Sequence, residues 1–498
     1  MPQITDNLPE LVLAPKADST ANRRITRLAA QEQLRRLYRG IYTSNLKSSP
    51  EAVVLRHWRA IVGYLLPGGV ISYRSAFDGK PQDGRVFVTR GKTRQTLQLP
   101  GLLVEVIPGP ERQREGSCPD TRLGELYMSS DPRRYLENFS RGRGMAERTL
   151  SQAELESKLD RLLMVGGEHR LNQLRDHARE LATRLDMNAA FKRLDSVIGA
   201  LLGTHETNKL TARQAIARAA GRPYDPDRLV LLDALFAKLN EATLNRLPDP
   251  APAGDARENF AFYESYFSNY IEGTTFTVGE AEDILFHGKI IEHRSEDSHD
   301  ILGTFYAAIH SPWRDQPPQN AEQFLTWLRD MNAIVMKSRA DKKPGEWKDR
   351  ANQAGNTFFV APELVPGTLR EGFDRIIGLR EPLARAIMTM FVITEVHPFL
   401  DGNGRTARLA MNCVLSEAGL CRIIVPTVYR EDYLLPLKAL SHNHDTAPIV
   451  ASLTRIQRWT ASFDYSLPRQ ELRKQLAKCN AFQEDLQNYR LAFPNQGS

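Results

Sequence analysis

Along most of the chain apolar positions recur at helical spacing; in a few places they alternate or bunch as strands do. "LREPLARAIMTMFVITEV" (379–396) is apolar on nearly every side, which predicts a helix buried all round. "GRTARLAMNCVLSEAG" follows as a second helix stopped at Gly419. "SQAELESKLDRLL" places Ser151 three residues before Glu154, the capping-box spacing, with Leu155, Leu159, Leu162 and Leu163 on helical period. "YESYFSNYIEGTTFTVGEAEDI" (263–284) reads as a helix ended at Gly273 and another begun near Thr277. "RLAAQEQLRRLYRGIYTSN" (27–45) reads as a helix running into a strand at Gly40, and the residues before 27 are poor in helix signals. "ISYRSAF", "GRVFVTRG" and "LPGLLVEVIPGP" read as strands, and "GNTFFVAPELVPG" as a hairpin.

These elements predict a mainly α protein with a smaller α+β part at its N-terminus. The expected divisions are an α+β domain over 1–150, a helical connector over 151–250, a helical domain over 251–465 and a C-terminal helix over 466–498. The connector is broken at "VGGEH", "GTHETNK" and "GRPYDP", and "LPDPAPAGDA" (247–256) marks the next boundary. A chain of 498 residues is long enough for about three domains.

Composition narrows the class. Apolar content of 41% and charged content of 25% suit a soluble globular protein. No stretch approaches the roughly 18 apolar residues of a membrane span. The N-terminus lacks a secretory pattern, and four scattered cysteines form no C-x-x-C pair, so a cytosolic, reducing setting is expected. Residues 21–150 hold 23 Lys/Arg against 12 Asp/Glu, so +11 of the net +6 lies there and the remainder carries −5. Such a surplus suits a polyanion partner or a solvated basic face.

The densest chemistry is "HPFLDGNGRTAR" (397–408), the turn between the two helices described first. The opening N–H groups of a helix have no intrahelical partners, and the macrodipole makes that end positive. Gly402 and Gly404 leave room for an anion to approach the backbone. Arg405 and Arg408, three residues apart, share a face and can fork onto phosphate oxygens. Asp401 is a hard oxygen ligand suited to Mg²⁺ bridging phosphates. His397 titrates in the range of a general base.

The stretch matches every defined position of the HPFx[D/E]GN[G/K]RxxR signature, and the chain therefore resembles the Fic family. That resemblance implies an all-helical catalytic core with a β-hairpin flap, using ATP and Mg²⁺ to transfer AMP to a Ser, Thr or Tyr hydroxyl of a protein target, the chain itself being one candidate. It implies His397 as base, Asp401 as metal ligand, Gly402, Asn403 and Gly404 as phosphate cradle, and Arg405 and Arg408 against the β- and γ-phosphates. "SNYIEG" resembles the family's inhibitory helix, [S/T]xxxE[G/N], which implies a helix near 257–273 carrying Ser268 and Glu272, with Glu272 pairing with Arg408 to block the γ-phosphate. "GEWKDRANQAGNTFFVAP" (345–362) stands where the family has its flap, so Thr357, Phe358 and Phe359 are candidates to dock a target strand; a plain surface hairpin is the competing reading. Tyr429 in "VYREDY" is a candidate contact to the adenine, and His442 and His444 in "HNHD" are read as loop residues.

The first 110 residues resemble winged-helix, regulator-like antitoxin domains of abortive-infection systems. With the basic surplus, this makes DNA a candidate partner, and recognition of the protein target is an equal candidate. A homodimer is a candidate assembly, and no membrane partner is expected. Two other functions compete with AMP transfer. One is deadenylylation, or transfer of another nucleotide or phosphate group. The other is a DNA-binding regulator that senses nucleotide.

Overall fold

The computed structural model describes residues 8–15, 17–142, 144–205 and 210–494. The chain forms two compact units, Met1–Ala219 and Ala220–Ser498.

In the first unit, β1 (Leu11–Leu13) is followed by α1 (Ser19–Ala30). The Asp18 carboxylate starts α1 by accepting the N–H groups of Thr20 and Ala21 at 2.9 Å. No residue of α1 is buried. The helix thus lies largely before residue 27, where none was expected, and Ala21, Ile25, Leu28 and Ala29 share one of its faces. β2 (Arg35–Tyr38) and β3 (Ile41–Thr43) turn at Gly40 (φ 71°) and join β1 in an antiparallel sheet, order β1-β3-β2.

Next come α2 (Pro50–Arg56), α3 (Trp58–Leu65), β4 (Val70–Ile71), α4 (Arg74–Asp78), β5 (Arg85–Thr89), β6 (Gln95–Leu99), β7 (Leu102–Ile107), β8 (Thr121–Leu123) and β9 (Leu126–Met128). Six of these strands form one mixed sheet, order β6-β7-β5-β4-β9-β8, parallel between β4 and β9 and between β5 and β7. The strand read in "ISYRSAF" is only two residues long, because Tyr73 turns to φ 54° and α4 begins. Val53, Val54, Ile61 and Val62 from α2 and α3 pack with Val86, Val88 and Val104 of the sheet.

A second core gathers α5 (Asp131–Phe139), α6 (Gln152–Arg184), α7 (Asn188–Leu201) and α8 (Arg213–Ala219) around Leu136, Leu159, Leu171 and Leu194. The capping box of Ser151 and Glu154 opens α6, and Gly167 (φ 65°, ψ −177°) interrupts it at the "VGGEH" break. Of the "GTHETNK" break, residues 206–209 lie outside the described residues. Unit 1 thus takes the first part of the stretch read as a connector, and its last helix, α9 (Pro226–Glu241), belongs to unit 2.

Unit 2 is mainly helical: α10 (Gly254–Ile271), α11 (Val278–His287), α12 (Ser295–Ile309), α13 (Ala321–Val335), then the hairpin β10 (Gln353–Ala354) and β11 (Thr357–Phe358), then α14 (Val365–Gly378), α15 (Pro382–Val396), α16 (Asn403–Glu417), α17 (Arg430–Asn443), α18 (Ala447–Thr460) and α19 (Arg469–Lys478). α15 is buried at nearly every position and packs against α9, α14 and α16. Side chains such as Ile387, Phe391 and Ile393 each contribute about 1.5–3 kcal/mol by leaving water. α10 lies on α12 and α16.

The 247–256 stretch is tied down: the Cys421 N–H donates to the Leu247 carbonyl at 2.8 Å and the Asp249 N–H to Gly419 at 3.0 Å. His442 sits in the last turn of α17 and His444 caps it with a positive φ, so the loop expected at "HNHD" is the end of a helix. Among the described residues beyond 466, helix is confined to α19. No helix among the described residues is long and apolar enough to cross a membrane.

Candidate active site

α15 ends at His397, whose backbone swings into the left-handed region (φ 51°, ψ 61°). For a residue with a Cβ that conformation costs roughly 1–2 kcal/mol. Packing on both sides offsets it: the His397 N–H still reaches Ile393 at 2.9 Å, and Phe359 lies parallel to the imidazole, ring centroids 3.8 Å apart at 6°. His397 Nδ1 stands 3.3 Å from the Thr394 carbonyl. A carbonyl only accepts, so Nδ1 carries the hydrogen and the lone pair stays on Nε2. Burial, aided by the Lys348 cation, lowers the imidazole pKa to about 4 against the opposing pull of Thr394, Glu272 and Asp401. The ring is therefore neutral near pH 7 and able to accept a proton.

The loop that follows is braced from below. Asn403 is buried, donating to the Phe399 carbonyl and accepting its N–H, both at 2.9 Å. Its side chain is thus committed to the loop, and only its backbone faces the helix start. Gly402 (φ 76°) has no room for a side chain, since a Cβ there would meet Met336 at 2.7 Å and Asn332 Nδ2 at 2.9 Å. Asn332 donates to the Asp401 carbonyl at 3.0 Å. The Asp401 carboxylate takes the Gly402 N–H at 2.6 Å and keeps 38% of its side chain exposed.

The two arginines of the turn divide in role. Arg405 points to α12, where Asp300 holds it at 2.6 Å and also binds Arg339 at 2.8 Å. Arg408 is gripped by α10: Nε donates to Ser268 Oγ at 3.0 Å, and Nη2 donates to the Ser268 carbonyl at 2.8 Å and to Glu272 Oε1 at 2.7 Å. Ser268 and Glu272, one turn apart, therefore meet the same guanidinium. Burial works against the Glu272 charge, but Arg408 outweighs it and holds the carboxyl below its ordinary pKa. The carboxylate occupies the space over the helix start: a Cβ built on Gly404 would lie 2.1 Å from Glu272 Oε1.

The hairpin comes close to His397, with Phe359 on the imidazole and Phe358 67% exposed. Thr357 Oγ1 pairs with His442 Nε2 at 2.7 Å. Tyr429 is buried, its hydroxyl donating to the Ser452 carbonyl at 3.3 Å.

Three residues of the site were not singled out from the sequence. Buried Lys348 donates to Asn352 at 2.7 Å and to the Val396 carbonyl at 3.3 Å; burial, then Arg228, lowers its pKa to about 7. Arg228 on α9 clasps both the Glu395 carboxylate and the Phe358 carbonyl of the hairpin. Asp300 is the third. Lys348 lies within the quoted hairpin stretch, but among Glu346, Asp349 and Arg350 nothing in the sequence marks it as buried. Arg228 and Asp300 sit on distant helices, and no spacing rule joins them to the turn.

Among the described residues no group of three or more His, Cys, Asp and Glu is placed to hold a metal. A Mg²⁺ ion bound through one carboxylate and ligand phosphates needs no such group, and partly exposed Asp401 fits that arrangement.

Residues 324–415 match the model of the Fic/DOC family. The chain carries a Fic domain. Ser268 and Glu272 lie upstream of that match. The chain is 30% identical over 206 residues to the protein adenylyltransferase Fic of Drosophila erecta, covering 39% of this chain and 40% of that protein. With the protein adenylyltransferase fic-1 of Caenorhabditis briggsae it shares 27% identity over 220 residues, 42% of this chain and 43% of the relative. The matched region thus spans about two fifths of those relatives. A Fic domain-containing signaling protein from Bacteroides thetaiotaomicron aligns with 21% identity and a TM-score of 0.37, covering 49% of this chain and 97% of that one.

Proposed function

We propose that the Fic domain transfers AMP from ATP to a hydroxyl group of a protein, and that Glu272 holds this activity down. The observation that carries the reading is the shared setting of three groups: a neutral imidazole with a free Nε2, a helix start stripped of side chains at Gly402 and Gly404, and Arg408 beside it with Glu272 in its grip. The names of the matched relatives support the nucleotide.

In the proposed reaction the target oxygen attacks the α-phosphorus while His397 Nε2 takes its proton. The bond to the β-phosphate oxygen breaks and pyrophosphate leaves. Helix-start N–H groups and Arg408 are fixed where charge gathers on the phosphates. Asp401 would hold Mg²⁺, which supplies further neutralisation of the phosphates when bound. Glu272 competes for the same guanidinium and the same space, so it has to leave before a triphosphate can seat fully.

The ionised Glu272 carboxylate beside the seat favours a second reading, in which it activates water to remove AMP from a modified protein. One experiment separates the two. Full-length wild type, Glu272→Gly and the Glu272→Gly/His397→Ala double variant are incubated with α-labelled ATP, Mg²⁺ and a cell extract. Transfer predicts label on protein with Glu272→Gly and none with the double variant. Absence of label there, with release of AMP from pre-modified protein by wild type alone, replaces transfer with removal.

A further inference from the structure

Far from the Fic turn, three arginines face one another across a cavity of about 320 Å³ in unit 2. Arg257 comes from the first turn of α10, Arg314 from the segment after α12, and Arg422 from the segment after α16. Asp249, Asp315 and Ser416 complete the polar lining. Gly404 and Ser416 lie at opposite ends of α16, twelve residues and so about 18 Å apart. The cavity is therefore separate from the seat described above.

Each guanidinium is only partly satisfied. Arg422, 2% exposed, stacks on Phe260 with Cζ 3.9 Å from the ring centroid and gives Nη1 to Glu264 at 3.2 Å. Arg314 gives Nη2 to the Asp315 carboxylate, and Arg257 gives Nη2 to the Pro252 carbonyl. The Nε–H of all three is buried and meets no acceptor within the protein. Nε atoms sealed in this way do not themselves reach a ligand, so an anion in the cavity would be met by the outer Nη groups of the three arginines. Charge points the same way: burial, and then the neighbouring Arg314 and Arg422 cations, weaken the hold of Arg257 on its proton. The two lining carboxylates are already engaged, Asp315 with Arg314 and Ser311, and Asp249 with the Ala251 N–H at 2.9 Å.

We infer that Arg257, Arg314 and Arg422 form a second anion site, shaped for a small phosphate-bearing ligand such as inorganic phosphate or pyrophosphate. The volume decides the size class. Small-molecule sites run from roughly 300 to 1,000 Å³, so this one stands at the lower limit and favours a bare phosphate group over a whole nucleotide. Forked guanidinium donors match tetrahedral oxyanions, and an anion held between the three cations offsets their mutual repulsion. The inference does not depend on AMP transfer, since the site shares no residue with the Fic turn.

The test titrates sodium pyrophosphate, and separately sodium phosphate and AMP, calorimetrically into full-length Arg408→Ala, in which the first seat is weakened. Arg257→Gln and Arg314→Gln are then added singly to that background, with circular dichroism melting as the control for folding. One equivalent of pyrophosphate or phosphate should bind, and each glutamine should weaken it at least about tenfold, as losing a charged hydrogen bond does. AMP should bind more weakly than either. No heat with either inorganic anion at millimolar concentration overturns the inference. So does equal affinity in the parent and in both glutamine variants, or tighter binding of AMP. A glutamine variant that melts early is replaced by Lys at the same position, which keeps the charge, loses the fork and should still bind more weakly.

Discussion

Glu272 Oε1 stands 2.7 Å from Arg408 Nη2, and the same oxygen fills the space over Gly404 into which any side chain there would project. One carboxylate thus blocks the seat in two ways, by neutralising its cation and by occupying its volume. Removing Glu272 empties that volume, and a methyl group at Gly404 fills it again. Glu272→Gly should therefore bind ATP measurably, while Glu272→Gly/Gly404→Ala should bind it at least about tenfold more weakly, because the methyl displaces a phosphate oxygen from the helix-start N–H groups. Fluorescent nucleotide titration reads the difference. Equal affinities would remove Gly404 from the seat.

The electrostatics of His397 give a second expectation. Burial beside Lys348 lowers its pKa to about 4, so the imidazole should titrate by NMR with a midpoint near 4 and not near its ordinary 6.5. Between those values an unfolded chain takes up a proton that the folded chain refuses. This group's share of stability is therefore complete above pH 6.5 and is lost as the pH falls through 4. Replacing Lys348 by Met removes the nearby cation and should move the midpoint upward. A midpoint that stays put assigns the whole shift to burial.

Much of this was legible in the sequence, for identifiable reasons. α15 and α16 showed because a helix buried on all sides must be apolar on all sides, and Gly273 and Thr277 showed because caps are local chemistry. The turn from His397 to Arg408 showed because its residues are consecutive. What stayed hidden depends on distance along the chain. Asp300 answers Arg405 from α12, and Arg228 answers Phe358 and Glu395 from α9. The motif places two arginines for the phosphates, and it gives no sign that Arg405 also meets a carboxylate about a hundred residues upstream. α1 was missed for another reason: its stripe of Ala21, Ile25, Leu28 and Ala29 is short and built mostly of small side chains, among Arg23, Arg24 and Arg27.

Arg405 and Arg408 should accordingly fail in different ways. Arg405 is 3% exposed and shares Asp300 with Arg339, so Arg405→Ala leaves Asp300 with a single cation in the interior. Breaking such a buried pair costs roughly 3–5 kcal/mol when no second partner remains, and Arg339 should hold the loss toward 3. Urea unfolding of Arg405→Ala should show that loss. Arg408→Ala in the Glu272→Gly background should instead lower ATP affinity, with a smaller change in stability. The reverse pattern would make Arg405 the phosphate ligand.

The hairpin is held by a helix that precedes the Fic match. Arg228 binds Glu395, whose side chain is 2% exposed, and the carbonyl of Phe358, the residue before the ring that covers His397. Arg228→Ala removes both contacts, leaving Glu395, among the described residues, with Ser441, which donates at 2.5 Å. Stability should fall by about 3 kcal/mol, the lower end for a broken buried pair, because Arg228 keeps some exposure to water. Amide exchange should quicken first at residues 357–359, where the carbonyl has lost its donor. In the Glu272→Gly background the same substitution should leave ATP affinity within about twofold and lower the rate of protein labelling, because a loosened hairpin presents the target hydroxyl less well. Unchanged exchange at 357–359 would show that the hairpin is held by its own pairing and by Thr357 with His442.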